Sequence, residues 1–225
     1  MKTLFWDVDG TLLTTGRAGI FSLEDALEEV SGVRADLDEM ATAGMTDYAI
    51  AEAALARVGH ATDEEVVQRF LELHGRQLPE YLHRREGHVM PGVREILDDL
   101  SGRDGVVNLL LTGNIEAGAT AKLAHYGLDG YFRAGGAFCV GPGARAEIAR
   151  RALSLVEGAL ANGSPAFVIG DTPSDVECGK EIGARTIAVA TGSYTLEQLE
   201  ATEPWAALEQ LPEPEAFREL IGLDA

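Results

Sequence analysis

The chain has 225 residues, of which 46% are hydrophobic and 24% are charged, a composition typical of a globular protein and not of a disordered one. Acidic residues outnumber basic residues by 37 to 18, and the formal net charge of −19 argues against nucleic acid or an anionic membrane as a partner. No apolar stretch approaches a membrane span, and the first residues are typical of a strand and not of a signal peptide. Cys139 and Cys178 match no metal-binding spacing, so we expect reduced thiols and a cytoplasmic protein, whose oligomeric state the sequence leaves open.

The first elements predicted along the chain are one buried strand and then a block of helices. The apolar run Leu4–Trp6 predicts the strand, and residues from about 14 to 88 show only helical patterns. Within this block, one helix should end at Gly32, and Asp47 could cap a second helix that stops at Gly59. Thr62 should begin a capping box for a third helix, which Pro79 is expected to bend or break.

After residue 90 the pattern changes to strands that alternate with helices. The predicted order is a helix from Val93, a strand over Val106–Leu111, a helix over Ile115–Tyr126, a strand near Tyr131–Phe138, a helix over 144–161, a turn over 162–165, a strand over Ala166–Ile169, a helix over Ser174–Ile182 and a strand over Thr186–Val189. Such alternation predicts an α/β fold with a parallel sheet. Because the helical block interrupts it, we expect a core formed by residues 1–13 and 89–225 and an inserted cap domain formed by residues 14–88.

Asp7-Val8-Asp9-Gly10-Thr11 is the most informative motif of the sequence. It stands where the first strand should end, and residues i and i+2 of an extended chain point to the same side. The motif therefore aims two carboxylates into one small space, an arrangement that is electrostatically poor unless a cation is present. A turn or a helix cap would explain one of the two aspartates but not both.

Further polar segments follow other predicted strands, where open parallel sheets bind ligands. Thr112-Gly113-Asn114 offers a hydroxyl and the N–H groups of a turn, both suited to phosphate oxygens, although the segment could simply cap a helix. Asp171 follows another strand and Asp175 comes one helical turn later, so that Asp7, Asp9, Asp171 and Asp175 together predict a cage of oxygen ligands for Mg²⁺. Arg145 is the candidate cation for a phosphoryl group, and Lys122 is the alternative, expected on a helix surface.

These segments, in this order, resemble the motifs of the haloacid dehalogenase superfamily. Asp7 to Thr11 looks like its first motif, Thr112 like its second, and Gly170-Asp171-Thr172-Pro173-Ser174-Asp175 like its fourth. Arg145 lies near the basic third motif but departs from it, since a lysine followed by proline is usual there. The resemblance implies a Rossmann-like core with a helical cap inserted after the first motif.

The resemblance also implies a role for each matching residue. Asp7 would attack phosphorus and form an aspartyl-phosphate, and Asp9 would protonate the leaving oxygen and then activate water. Mg²⁺ would bridge Asp7, the backbone carbonyl of Asp9 and Asp171, with Asp175 as a ligand or as the group that orients a metal water. Thr112 and Arg145 would neutralise the transferring group.

The predicted cap carries the signals for the substrate. Gly44-Met45-Thr46-Asp47 resembles a cap segment of phosphoglycolate phosphatase-like members. Outside the cap, the Ile115–Phe132 segment, with Thr112-Gly113-Asn114 before it, also resembles these phosphatases. Thr46, Gly113 and Asn114 are therefore candidate substrate-binding residues. The alternative is that Thr46 or Asp47 only caps the next helix.

Other reactions of the superfamily fit the sequence less well. Dehalogenation does not need Asp9, and cleavage of a phosphonate uses a cap lysine, whereas the lysines of this chain are Lys2, Lys122 and Lys180. We therefore expect a Mg²⁺-dependent phosphatase of a small phosphorylated metabolite, phosphoglycolate-like. A sugar-phosphate mutase and a catalytically silent regulatory or binding member remain the alternatives.

Overall fold

The fold is built on a six-stranded sheet, seen in a computed structural model that describes residues 1–143, 145–155, 163 and 165–223. The strands lie in the order β5-β4-β1-β6-β7-β8, and every pair of neighbours is parallel. Their bounds are β1 Lys2–Trp6, β4 Val106–Ile115, β5 Gly136–Cys139, β6 Ala166–Gly170, β7 Arg185–Val189 and β8 Ala206–Leu208, while β2 Leu13–Thr14 and β3 His88–Val89 form a separate antiparallel pair. The prediction of an α/β fold with a Rossmann-like parallel sheet is confirmed.

Helices lie between these strands along the chain. Within the described residues they are α1 Ala18–Ser31, α2 Asp47–Arg57, α3 Glu64–Arg84, α4 Val93–Leu100, α5 Glu116–His125, α6 Arg145–Ser154, α7 Pro173–Ile182, α8 Leu196–Glu200 and α9 Pro214–Leu220, with a 3₁₀ turn at Asp129–Tyr131. Among the helices that the structure describes, none is long and apolar enough to cross a membrane.

Strand β1 lies near the middle of the sheet, between β4 and β6. Trp6, its last residue, pairs with Leu110 on one side and with Ile169 on the other. Phe5 and Trp6 point to opposite faces of the strand, and both are fully buried, as a strand covered by helices on both faces requires. The residues that follow β1 and β6 therefore emerge side by side, next to the last residues of β4.

Helices α1, α2 and α3 occupy the chain between β2 and β3. Leu27, Leu55 and Phe70, one from each helix, are fully buried in a common cluster. The β2–β3 pair brings the two ends of this segment together, with Thr14 opposite His88. The division into a core and a cap at residues 14–88 stays a prediction, and both of its boundaries lie at this pair.

The expected break of α3 at Pro79 is wrong. The helix continues for 21 residues across the proline. Leu78 and Leu82 are buried on either side of Pro79, so packing holds the helix where a proline removes a backbone hydrogen bond. The predicted cap of this helix is displaced by one residue, since Asp63, and not Thr62, accepts the N–H of Val66.

Three predicted boundaries also differ from the structure. Strand β4 continues through Thr112-Gly113-Asn114 to Ile115, with an irregular register between Leu111 and Ile115, where a turn was expected. Strand β5 begins at Gly136, after the 3₁₀ turn, and not near Tyr131. Of the helix expected over 144–161 the structure shows Arg145–Ser154, while residues 144 and 156–162, together with 164 in the turn expected over 162–165, lie outside the described residues.

Gly113 marks a close approach between β4 and the segment before α2. A Cβ atom at Gly113 would collide with the backbone carbonyl of Met45 and lie 3.2 Å from Cα of Thr46. Backbone atoms cannot move aside as the end of a flexible side chain can. This glycine therefore sets how closely the predicted cap lies on the strand.

We predict that Gly113→Ala lowers the free energy of unfolding by about 1–3 kcal/mol, the usual cost of forcing an extra group into a packed site. Gly130→Ala is the matched control, because a Cβ atom there meets nothing within 4 Å and its φ is not positive. Thermal or urea unfolding of both variants makes the comparison. Equal stability of the two variants would show that the approach at Gly113 is not tight.

Candidate active site

The candidate site lies at the carboxyl ends of β1, β4 and β6. Asp7 follows β1 directly, and its N–H donates to the carbonyl of Ile169 on β6 at 2.9 Å. Asp171 follows β6, and Asp175 lies in the first turn of α7. Carboxylate oxygens of Asp7, Asp171 and Asp175 lie within 4.8 Å of one another, and all three residues are buried.

Gly10 and Thr11 of the first motif hold Asp171 in this group. Gly10 adopts a φ of 83°, and a Cβ atom there would collide with the carboxylate of Asp171. The hydroxyl of Thr11 donates to Oδ1 of Asp171 at 2.9 Å. The turn after β1 therefore positions the acid that follows β6, which explains why the motif continues past its two aspartates.

Arg145 lies against the same carboxylates at the beginning of α6. Its Nη2 is 2.9 Å from Oδ1 of Asp7 and 2.5 Å from Oδ1 of Asp175. Asp175 also accepts hydrogen bonds from the N–H and the hydroxyl of Thr172, at 3.0 and 2.7 Å, and so caps α7. The structure thus places Arg145 where the sequence expected a cation.

The carboxylates of this group are electrostatically crowded. Burial, opposed by the charge of Arg145 and reinforced by Asp175, raises the pKa of Asp7 to about 6. Burial and the charges of Asp175 and Asp7 raise the pKa of Asp171 to about 8. Burial lowers the pKa of Arg145, but Asp175 and Asp7 outweigh it and raise that pKa overall.

Three crowded carboxylates and one arginine fit a divalent cation. The three carboxylates offer oxygen ligands, which hard cations prefer. A cation among them would relieve the repulsion that, after burial, raises the pKa values of Asp7 and Asp171. The carboxylate of Asp9, also expected among the ligands, points elsewhere and is not part of this group. Its backbone carbonyl is the oxygen that the family resemblance offered to the metal.

Asp9 is paired with Lys122, which lies on α5. Nζ of Lys122 is 2.5 Å from Oδ2 of Asp9 and 2.6 Å from Oδ1 of Asn114, and Nδ2 of Asn114 donates to Oδ2 of Asp9 at 2.9 Å. The expectation that Lys122 lies on a helix surface is wrong, since the residue is 6% exposed. Its aliphatic stem is buried on the inner face of α5 with Ala119, and its ammonium group reaches two oxygen partners.

The surroundings of Asp9 differ from those of Asp7. Burial raises the pKa of Asp9, but the charge of Lys122 and hydrogen bonds from Lys122 and Asn114 outweigh it, so this pKa lies below its usual value. Two aspartates two residues apart therefore sit in opposite environments, one among carboxylates and one on an ammonium group. Such a difference is typical of paired acids with different chemical roles.

The other predicted site residues are Thr46, Thr112, Gly113 and Asn114. Thr112 is fully buried, and its hydroxyl accepts the N–H of Asn114 at 3.3 Å. It does not line the cavity that lies between the carboxylates and the helices α1–α3. Thr46 caps α2 by accepting the N–H of Ala49 at 3.2 Å, which agrees with the alternative reading of that segment. Gly113 lies beneath the backbone of Met45. Asn114 lines this cavity.

Two buried residues near the site were not foreseen as functional. The carboxylate of Asp47 accepts the N–H of Ile115 at 2.7 Å, and burial raises its pKa to about 6. His74 of α3 is 2% exposed and lines the cavity. The sequence held a signal for His74, because it stands four residues from Phe70 and four from Leu78, on the apolar stripe of its helix.

A cavity of about 650 Å³ connects these groups to the helices α1–α3. Its floor carries Asp7, Asp9, Asn114, Lys122, Arg145 and Asp171. The loop before α2, from Met40 to Met45, forms part of the opposite wall. The cavity therefore brings Asp7, Asp9 and Asp171 together with Lys122 and Arg145 in one space.

A protein-family model for haloacid dehalogenase-like hydrolases matches residues 4–180 of the chain. The chain belongs to the haloacid dehalogenase-like hydrolase family. The resemblance drawn from the motifs is therefore confirmed.

Individual relatives agree with this placement. The chain is 29% identical over 227 residues to the probable phosphatase IndB of Dickeya dadantii (strain 3937), a match that covers 99% of this chain and 93% of the relative. Among solved structures it resembles a predicted phosphoglycolate phosphatase from Haemophilus somnus 129PT, with a TM-score of 0.69, 16% identity and 98% of each chain covered. It also resembles a putative β-phosphoglucomutase from Bacteroides vulgatus, with a TM-score of 0.68, 21% identity and 99% and 89% covered.

We predict that Lys122→Met raises the pKa of Asp9, because the ammonium group is the main influence that holds this pKa below its usual value. Carbon-detected NMR titration of the Asp9 carboxyl group measures the change. Lys180→Met is the matched control, since Lys180 is exposed and its Nζ donates to the carbonyl of Thr202. An unchanged titration of Asp9 in Lys122→Met would mean that the ion pair does not form in solution.

Proposed function

We propose that the chain is a Mg²⁺-dependent phosphatase that hydrolyses small phosphate monoesters through an aspartyl-phosphate on Asp7. The observation that carries this proposal is the contrast between Asp7 and Asp9. Asp7 lies among Asp171, Asp175 and Arg145, whereas Asp9 lies on Lys122 and Asn114 at the same end of the sheet. Family membership and the curated relative described as a probable phosphatase support the proposal.

In the first half-reaction a carboxylate oxygen of Asp7 attacks phosphorus, and the bond from phosphorus to the ester oxygen breaks. The leaving oxygen takes a proton from Asp9. Asp9 must first hold a proton, and its pair with Lys122 opposes this. An incoming phosphate dianion competes for the ammonium group and adds negative charge near Asp9, and both effects raise the pKa of Asp9.

In the second half-reaction water attacks the same phosphorus. Asp9 now accepts the proton of that water, the bond from Asp7 to phosphorus breaks, and inorganic phosphate leaves with Asp7 restored. Arg145 and Lys122 approach the reacting centre from different sides, so both can neutralise charge on the phosphoryl oxygens. In this proposal the hydroxyl of Thr112 accepts the N–H of Asn114. It thereby positions Asn114, the partner of Asp9.

Mg²⁺ is the cation that we propose for the acidic group. Asp7, Asp171 and the backbone carbonyl of Asp9 would hold it, with Asp175 as a ligand or as the group that orients a metal water. When bound, it supplies Lewis-acid polarisation of the phosphoryl group and offsets the repulsion between the carboxylates. The catalytic residues do not fix the ester, since phosphoglycolate and other small monoesters present the same phosphoryl group.

We predict that Asp7→Asn lowers kcat by about 10³-fold or more, because an amide cannot serve as the nucleophile. Asp9→Asn should slow both half-reactions and still bind Mg²⁺ through its backbone carbonyl. Asp104→Asn, on an exposed loop, is the matched control and should keep wild-type rates. Phosphate release from p-nitrophenyl phosphate is the assay, and near wild-type turnover by Asp7→Asn would exclude the mechanism.

We predict that Mg²⁺ raises the melting temperature more at pH 8 than at pH 5.5. Asp7 and Asp171 have pKa values of about 6 and about 8, against 3.8 for an ordinary aspartate, so the metal-free fold favours their protonated forms. The stability that protonated Asp7 and Asp171 give to the metal-free fold is present below about pH 4. It is lost as the pH rises through 6 to 8. Mg²⁺ binds the ionised forms and therefore restores most stability at high pH.

Differential scanning fluorimetry with EDTA and with excess Mg²⁺ at each pH measures this effect. Asp171→Asn is the control, because it removes one ligand and should abolish most of the Mg²⁺-dependent increase. A pH-independent increase in melting temperature would argue against a metal site built from these carboxylates.

A further inference from the structure

We propose that the site takes phosphate monoesters whose leaving group is uncharged and carries a hydroxyl group that donates a hydrogen bond to Nε2 of His74. This inference rests on the proposed function and names the class of leaving group. It is drawn from the cavity wall formed by α1–α3 and the loop before α2, and not from the catalytic acids.

The cations of the cavity are already engaged. Among the described residues that line it, the permanently charged basic side chains are Arg17, Lys122 and Arg145. Lys122 and Arg145 pair with the acids of the reacting centre. Arg17 forms an ion pair with Asp38, lies 5.4 Å from the ring centre of Phe21, and has a half-exposed side chain. A carboxylate on the leaving group would thus find no uncommitted positive charge, in a chain whose net charge is −19.

Apolar side chains form part of the wall opposite the catalytic acids. They come from α1, α2 and the segment between them (Ile20, Leu23, Met40, Met45 and Ile50), and Met90, which follows β3, adds to them. Cavities of about 300–1,000 Å³ hold drug-sized ligands, and the 650 Å³ measured here lies within that range. The space and its lining suit an uncharged leaving group larger than glycolate.

The hydrogen bonds of His74, which lies on this wall, determine which of its ring nitrogens carries the proton. The hydroxyl of Ser22, from α1, donates to the backbone carbonyl of His74 at 3.0 Å and lies 2.9 Å from Nδ1 of the same residue. A carbonyl can only accept, so the one hydroxyl hydrogen is committed to it, and the serine oxygen must accept a hydrogen from Nδ1. This network assigns the proton to Nδ1 and leaves Nε2 with a lone pair.

His74 stays neutral and keeps that lone pair at physiological pH. Burial and the nearby charge of Lys122 lower its pKa to about 3, and Asp9 only partly opposes them. A neutral acceptor binds a hydroxyl or an N–H group and repels a carboxylate. His74 lines the same cavity as Asp9 and Lys122, so a leaving group bound there lies within reach of its ring.

The test compares three esters of equal chain length: 2-hydroxyethyl phosphate, ethyl phosphate and 2-phosphoglycolate. We expect kcat/KM to be about 3- to 10-fold higher for hydroxyethyl phosphate than for ethyl phosphate, the value of one neutral hydrogen bond, and to be lowest for phosphoglycolate. Glycerol 1-phosphate and 3-phosphoglycerate repeat the comparison with one more carbon. A higher kcat/KM for the carboxylate esters would overturn the proposal. If Arg17→Gln removed that preference, the carboxylate would bind at Arg17.

His74→Leu should bring the ratio between hydroxyethyl and ethyl phosphate close to one, whereas His74→Gln, which keeps an acceptor oxygen, should retain part of it. A ratio measured on one preparation is independent of the folded fraction, so a purely structural role of His74 would leave it unchanged. His83→Leu is the matched control, an exposed histidine of the same helix, and should keep the full ratio. An unchanged ratio in His74→Leu would overturn the proposal.

Binding to the Asp7→Asn variant separates this inference from the proposed function. Calorimetry should show tighter binding of hydroxyethyl phosphate than of ethyl phosphate, and His74→Leu in the same background should remove the difference. If no ester is hydrolysed but this difference is found, the proposed reaction fails and the assignment of His74 stands. If esters are hydrolysed but bind without the difference, the assignment of His74 fails alone.

Discussion

Mutual repulsion between three buried carboxylates is the constraint on which the site depends. The parallel sheet brings the ends of β1 and β6 side by side, and this places Asp7 against Asp171, with Asp175 one helical turn further along the chain. Like charges this close and this buried destabilise one another unless positive charge is present. Arg145 meets two of the three, and the carboxylate oxygens are of the kind that a divalent cation prefers.

The positive charge is divided between two places. Arg145 serves Asp7 and Asp175, while Lys122 serves Asp9. This division lets two aspartates of one strand end differ in proton affinity, which a single cation between them would not achieve. It also gives an anionic ester a local attraction, although the chain as a whole, at −19, repels it.

The parts of the site that the sequence predicted are those set by local geometry. Asp7 and Asp9 follow a strand, and the alternation of strands and helices is enough to place Asp171 beside them. Lys122 was misplaced because its partner Asp9 is 113 positions away, and only the packing of α5 on the sheet decides which face of that helix is buried. The break expected at Pro79 is absent for the same reason, since tertiary packing around Leu78 and Leu82 outweighs the local preference.

The segment before α2 meets the sheet beside Asp9 and its partner Asn114. Asp47 accepts the N–H of Ile115, and Gly113 lies beneath the carbonyl of Met45. Asn114, between these two contacts, donates to Asp9 and accepts from Lys122. A shift of α2 relative to β4 would therefore move Asn114 and, with it, the groups that hold the pKa of Asp9 low. In the proposed mechanism, substrate contacts on the helices α1–α3 and proton transfer at Asp9 are linked in this way through three consecutive residues of β4.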